Sequence, residues 1–92
     1  MKNLTINGVE LEVATYENSF SKHRCFEYYI PSNKQTKLFI NQSLSSGKTL
    51  RVSAFIDGVQ FLLSEKYDVS MALDIFTNLI SKFSPKHLEV SI

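Results

Sequence analysis

The stretch Leu50-Arg51-Val52-Ser53-Ala54-Phe55-Ile56-Asp57-Gly58-Val59-Gln60-Phe61-Leu62-Leu63, followed by Asp68 and the run from Val69 to Phe83, decides the fold. Apolar and polar residues alternate from Leu50, with a break at Phe55, and that is the period of a half-buried strand. Asp57-Gly58 between two such runs is the signature of a two-residue type I′ hairpin, because both central residues of that turn need positive φ. Pairing Ile56 with Val59, Ala54 with Phe61 and Val52 with Leu63 gathers apolar side chains on one face. The other face then receives Arg51, Ser53, Phe55, Gln60, Leu62 and Ser64. From Val69 the period changes: Val69, Ala72, Leu73, Ile75, Phe76, Leu79, Ile80 and Phe83 fall within an arc of roughly 160°, the stripe of a helix laid on a sheet. Asp68 is placed to cap that helix, and Ser84-Pro85 to stop it.

Outward from this stretch the same rules apply. Asn7-Gly8 between Leu4-Thr5-Ile6 and Val9-Glu10-Leu11-Glu12-Val13 predicts a second hairpin, with Leu4, Ile6, Val9, Leu11 and Val13 sharing a face. Tyr16 to His23 shows neither period and reads as a loop carrying Phe20 as an anchor. Arg24 to Ile30 reads as a strand rich in aromatics, ended by Pro31 and a turn through Ser32-Asn33. Lys37-Leu38-Phe39-Ile40-Asn41 returns antiparallel to it, and Gln42 to Thr49 forms a polar loop. The alternating tail His87 to Ile92 suggests a short edge strand. The expectation is a single α+β domain over residues 1–92: an antiparallel sheet of four to six strands in β-hairpins, with one C-terminal amphipathic helix packed on one face. An RNA-recognition-motif arrangement is disfavoured, since nothing between Val13 and Arg24 supplies its first helix.

Ninety-two residues bound the answer to one modest core. With 43% apolar and 21% charged residues the chain belongs with ordinary globular proteins rather than disordered ones. A formal net charge of +1 generates no whole-molecule field that would gather phosphate or an anionic membrane. Cys25 is the one cysteine, which excludes an internal disulfide framework and fits a reducing compartment. The chain shows no apolar run long enough for a signal peptide or a membrane span, so no membrane partner and a cytoplasmic location are expected.

The chemistry-bearing motifs do not assemble. Gly47-Lys48-Thr49 resembles the end of a phosphate-binding loop, but that loop needs glycine at position 42, where Gln42 stands, and it leads into a strand rather than a helix N-terminus. His23 and Cys25 share a strand face, yet a structural zinc site needs four ligands and His87 is the only other histidine. The carboxylates are scattered, with no pair spaced as an acid/base couple. No catalytic residue, metal ligand or cofactor follows, and a non-enzymatic protein is expected.

The basic residues are more suggestive. Lys22, His23, Arg24, Lys34, Lys37, Lys48 and Arg51 all fall between positions 22 and 51, where Glu27 is the only acid, and Phe26, Tyr28, Tyr29 and Phe39 are interleaved with them. These are the residue types that stack on bases or anchor protein interfaces. One helix covers one side of a sheet, so the other side meets water or a partner. The candidate partner-binding residues are Arg24, Lys34, Lys37, Phe39, Lys48, Arg51, Phe55 and Leu62. The outward helix positions Ser70, Met71, Asp74, Thr77, Asn78 and Ser81 carry a single charge, which suits a homodimer contact.

In size, in its Lys/Asn/Ile-rich composition and in its lack of motifs, the chain resembles in kind the small phage-encoded anti-CRISPR inhibitors. That resemblance implies a protein that docks on and blocks a larger protein or ribonucleoprotein, a CRISPR effector complex met by the basic aromatic hairpin and its tip. Two alternatives stand beside it. One is a single-stranded nucleic-acid or guide-RNA binding module with Lys34, Lys37, Lys48 and Arg51 on phosphates. The other is a homo-oligomeric accessory domain.

Overall fold

The computed structural model describes residues 2–83. The tail 87–92, read from sequence as an edge strand, lies outside them. Six strands, β1 (Lys2–Ile6), β2 (Val9–Asn18), β3 (His23–Ile30), β4 (Asn33–Ser43), β5 (Thr49–Ile56) and β6 (Val59–Leu63), precede one helix, α1 (Val69–Phe83). The strands form a single antiparallel sheet in the order β1-β2-β3-β4-β5-β6, an uninterrupted meander. This is an α+β fold with the helix on one face.

Both Gly-containing hairpins form as their sequences require. Asn7 and Gly8 adopt φ of 51° and 81°, Asp57 and Gly58 φ of 51° and 87°, the left-handed pair of a type I′ turn. The registers are those of the alternation: Ile6 opposite Val9, Leu4 opposite Leu11, Ile56 opposite Val59, Ala54 opposite Phe61 and Val52 opposite Leu63.

Ala72, Leu73, Phe76 and Ile80 bury the helix stripe against Val9, Leu11, Ile30, Leu38, Ile40, Val52, Ala54 and Ile56. Phe76 is the largest fully buried side chain, and removing an apolar group of that size from water contributes about 1.5–3 kcal/mol. The first turns of α1 stand beside Ile6 and Asn7, and its last residue Phe83 meets Phe61 of β6 at 5.3 Å between ring centroids. The helix thus crosses the sheet from one edge strand to the other, near the end that carries the β1–β2, β3–β4 and β5–β6 turns. Asp68 caps it, accepting a hydrogen bond from the Met71 N–H at 2.8 Å.

Four local expectations need correction. Of the segment 16–23 only residues 19–22 form a loop: β2 runs to Asn18 and β3 begins at His23, with Tyr16 opposite Cys25 and Glu17 opposite Arg24. Cross-strand pairing there overrides the weak local pattern, and the ion pair between Arg24 and Glu17 at 2.8 Å closes the ladder. Phe20, at the tip of that hairpin, anchors nothing and is fully exposed. The β3–β4 turn is Pro31-Ser32, so β4 begins at Asn33 rather than Lys37, and residues 34–36 bulge between the Ile30–Asn33 and Tyr29–Lys37 pairs. Thr77, placed outward by the helical wheel, is buried, because the β1–β2 turn folds over it: Asn7 donates from Nδ2 to Thr77 Oγ1 and to Asp74 Oδ1, each at 2.9 Å.

Asn7 therefore serves the turn with its backbone and the helix with its side chain. Asn7→Gly, which keeps the positive φ and deletes the amide, is expected to lower unfolding stability by about 1 kcal/mol, and Asn7→Ala by about 1 kcal/mol more through left-handed strain. Urea denaturation of the two variants measures both components.

Candidate functional site

Alternation assigns the strand residues to two faces. Phe26, Tyr28, Leu38, Ile40, Val52, Ala54, Phe61 and Leu63 lie on the helix side. The face opposite the helix is set by the ladder: one row runs Asn3, Glu12, Tyr29, Lys37, Phe55, Gln60, the next Ala14, Glu27, Phe39, Ser53, Leu62, and a third Tyr16, Cys25, Asn41, Arg51. Acids gather on β2 and β3 as Glu10, Glu12 and Glu27, and bases on β4 and β5 as Lys34, Lys37 and Arg51. The face is electrically two-sided although the chain is nearly neutral.

A shallow hollow of about 420 Å³ opens on the basic half, lined by Glu27, Lys34, Gln35, Lys37, Phe39, Arg51, Ser53, Phe55, Gly58 and Gln60. Its size is within the range of small-molecule sites. Lys37 is held in place, with Nζ 3.7 Å from Glu27 Oε2 and 5.7 Å from the centroid of the Phe55 ring. Lys34 Nζ lies 5.5 Å from the Tyr29 ring centroid. Arg51 is exposed and pairs with no acid among the described residues. Ser53 is the floor, 1% exposed, with its Oγ accepting from Gln60 Nε2 at 3.3 Å. A second hollow, of about 380 Å³, lies beyond Phe39 and is lined by Tyr16, Glu17, Asn18, Ser21, His23, Cys25 and Phe39. Phe39 divides the two.

A polar lock shapes the rim of the first hollow. The buried Thr36 hydroxyl accepts from the Asp57 N–H at 3.0 Å and from Asn33 Nδ2 at 3.1 Å, and Asn33 Nδ2 also donates to Asp57 Oδ1 at 2.7 Å. Gly58 N–H donates to the Gln35 carbonyl at 3.0 Å, tying the β5–β6 turn to the bulge that carries Lys34 and Gln35.

Of the residues singled out from sequence, Lys34, Lys37, Phe39, Arg51 and Phe55 come together in the hollow. Leu62 shares the open face on edge strand β6 and is 71% exposed, but it does not line the hollow. Lys48 sits in the β4–β5 loop, where its carbonyl accepts from the Ser43 N–H, away from the hollow. Arg24 is misplaced by the sequence grouping: it has the parity of Phe26 and Tyr28, so it lies on the helix-side surface, paired with Glu17 beyond the reach of α1. The sequence reading missed Glu27, Gln35 and Gln60 as lining groups. It also missed the exposed presentation of Phe20, held by Asn18 Oδ1 accepting from the Phe20 and Ser21 N–H groups at 2.9 and 3.1 Å. An Asn followed by a polar tripeptide around one aromatic was the available signal for that tip.

Among the described residues no cluster of histidine, cysteine or carboxylate side chains is placed to hold a metal, and no helix is long and apolar enough to cross a membrane. Comparison with protein-family models, curated proteins and solved structures finds no match.

Two tyrosines report on the sheet. The Tyr29 hydroxyl donates to Glu12 Oε1 at 3.0 Å, and that bond, ahead of burial, holds its pKa above the ordinary 10.0. Burial on the helix side raises that of Tyr28. Folding thus favours the protonated phenols, so this contribution is complete below pH about 10 and is lost as pH rises through the raised values. Spectrophotometric titration should show two tyrosinate steps above 10.0 in the native protein, and Glu12→Gln should lower the one belonging to Tyr29. Thr36→Val, isosteric but unable to bond Asp57 and Asn33, should cost about 1–3 kcal/mol in urea unfolding.

Proposed function

We propose that this chain is a small non-enzymatic binding protein of the cytoplasm that docks by its open sheet face on a larger protein or ribonucleoprotein and blocks it, in the manner of anti-CRISPR inhibitors. One observation carries the proposal. Among the described residues one helix covers one face of a six-stranded sheet, and the other face presents Phe39, Phe55 and Leu62 among Lys34, Lys37 and Arg51. Apolar groups bordered by charge are the composition of an association surface, with aromatics and arginine as its usual anchors. Phe20, fully exposed on the adjoining hairpin, adds an aromatic contact at the margin. The resemblance to anti-CRISPR proteins in size and lack of motifs names the class of partner.

A homodimer through the outer surface of α1 is less well supported than the sequence suggests. Thr77 is buried and Asp74 is bonded to Asn7, which leaves Met71, 50% exposed, as the apolar centre of that surface.

The test is capture of purified, guide-loaded CRISPR effector complexes by the tagged protein, together with protection of phage DNA from interference. Lys34→Glu/Arg51→Glu alters two exposed side chains and is expected to fold normally and to lose at least about tenfold in affinity, as expected for charge reversal at an interface. Failure to capture any effector complex, or capture undiminished in the double variant, would overturn the proposal.

A further inference from the structure

We infer that the hollow on the basic half of the open face is a single-stranded RNA subsite, with one base stacked on Phe39 and its phosphate on Arg51. This deepens the docking surface proposed above and rests on the same face: it assigns the contact to the RNA of a ribonucleoprotein rather than to its protein.

Stacking needs an uncovered aromatic face beside a cation that is not already neutralised. Of the two phenyl rings in the hollow, Phe55 is overlain by Lys37, while Phe39 has no aromatic or cationic partner among the described residues. Phe39 stands between the two hollows, so a base on either side of its ring would find space. Arg51 lies on the neighbouring strand, one open-face position from Ser53, the residue opposite Phe39, and has no acidic partner among the described residues. Lys34 flanks the far rim. With Lys37 matched by Glu27, the cations Lys34, Lys37 and Arg51 leave the hollow two positive charges in excess of its one carboxylate.

The charge sign selects a phosphodiester over an acidic-poor apolar peptide, and the aromatic platform selects an unstacked base. The exposed amides of Gln35 and Gln60 border the same space. Groups that both donate and accept suit a ribose 2′-hydroxyl, which distinguishes RNA from DNA. A duplex would present neither a free base face nor a groove that fits a shallow hollow on a sheet.

The probe is a fluorescent octauridylate, whose bases are unstacked, followed by anisotropy with the isolated protein. It should bind at about 50 mM salt and lose roughly 7-fold in affinity at about 200 mM, the slope for two phosphate contacts, at Lys34 and Arg51, to a single strand. Phe39→Leu, which keeps an apolar side chain without a ring face, should weaken binding about 5- to 150-fold, and Phe39→Tyr should restore it. Arg51→Gln should weaken binding and flatten the salt slope by one contact. No binding at low salt, equal binding by octathymidylate DNA, equal binding by a polyglutamate peptide of the same charge, or indifference to Phe39→Leu would each overturn the inference. Effector capture is read separately. Capture that persists in Phe39→Leu without octauridylate binding sinks the RNA subsite and leaves docking standing, and octauridylate binding without effector capture sinks docking alone.

Discussion

The structure depends on one packing constraint: α1 has a single apolar stripe and can cover a single face of the meander. Ala72, Leu73, Phe76 and Ile80 meet the inward residues of the central strands, and the core consists of that contact together with the first hairpin's Val9 and Leu11. An open meander dries one side by receiving another element on it, because consecutive antiparallel strands add width but no second layer. Burial on the helix side therefore fixes, through the two-residue period of a strand, which side chains are left on the other side. The open face is a consequence of the core, and Phe39, Phe55 and Leu62 on it stand outside the helix-side core cluster of the described residues.

Polar contacts then fix the hairpin ends against this frame. Asn7 reaches from the β1–β2 turn to Asp74 and Thr77, joining the sheet edge to the helix. Asn33, Thr36 and Asp57 join the bulged start of β4 to the β5–β6 turn. Each lock uses a residue whose backbone conformation the turn already requires, since both Asn7 and Asp57 have positive φ. The second lock also positions Lys34 and Gln35 at the rim of the hollow, so the same bonds that finish the fold set the shape of the site. The division of charge across the open face follows from strand order: in a meander the acids of β2 and β3 and the bases of β4 and β5 are kept side by side but separate.

The sequence by itself determined the two type I′ hairpins, the facing of nearly every strand residue and the position of the helix, because each rests on local physics. Asn-Gly and Asp-Gly are among the few pairs that tolerate two left-handed residues, and periods of 2 and 3.6 are properties of the backbone. For the same reason Lys37, Phe39, Arg51 and Phe55 were legible as members of one face. Tertiary structure alone decided the rest. The ladder from Glu12–Tyr29 to Asn18–His23 forms because a partner strand is present, which no window around Tyr16 to His23 reveals. Arg24 leaves the basic group because parity counts from β3's own core residues, Phe26 and Tyr28, and not from its neighbours in composition. Thr77 is buried by a turn 70 residues away in sequence, and Phe20 is exposed because the hairpin carries its tip past the edge of the helix. Contacts between residues far apart in the chain are selected by the packing of whole elements, so local patterning prescribes which faces exist and the assembled sheet decides what meets across them.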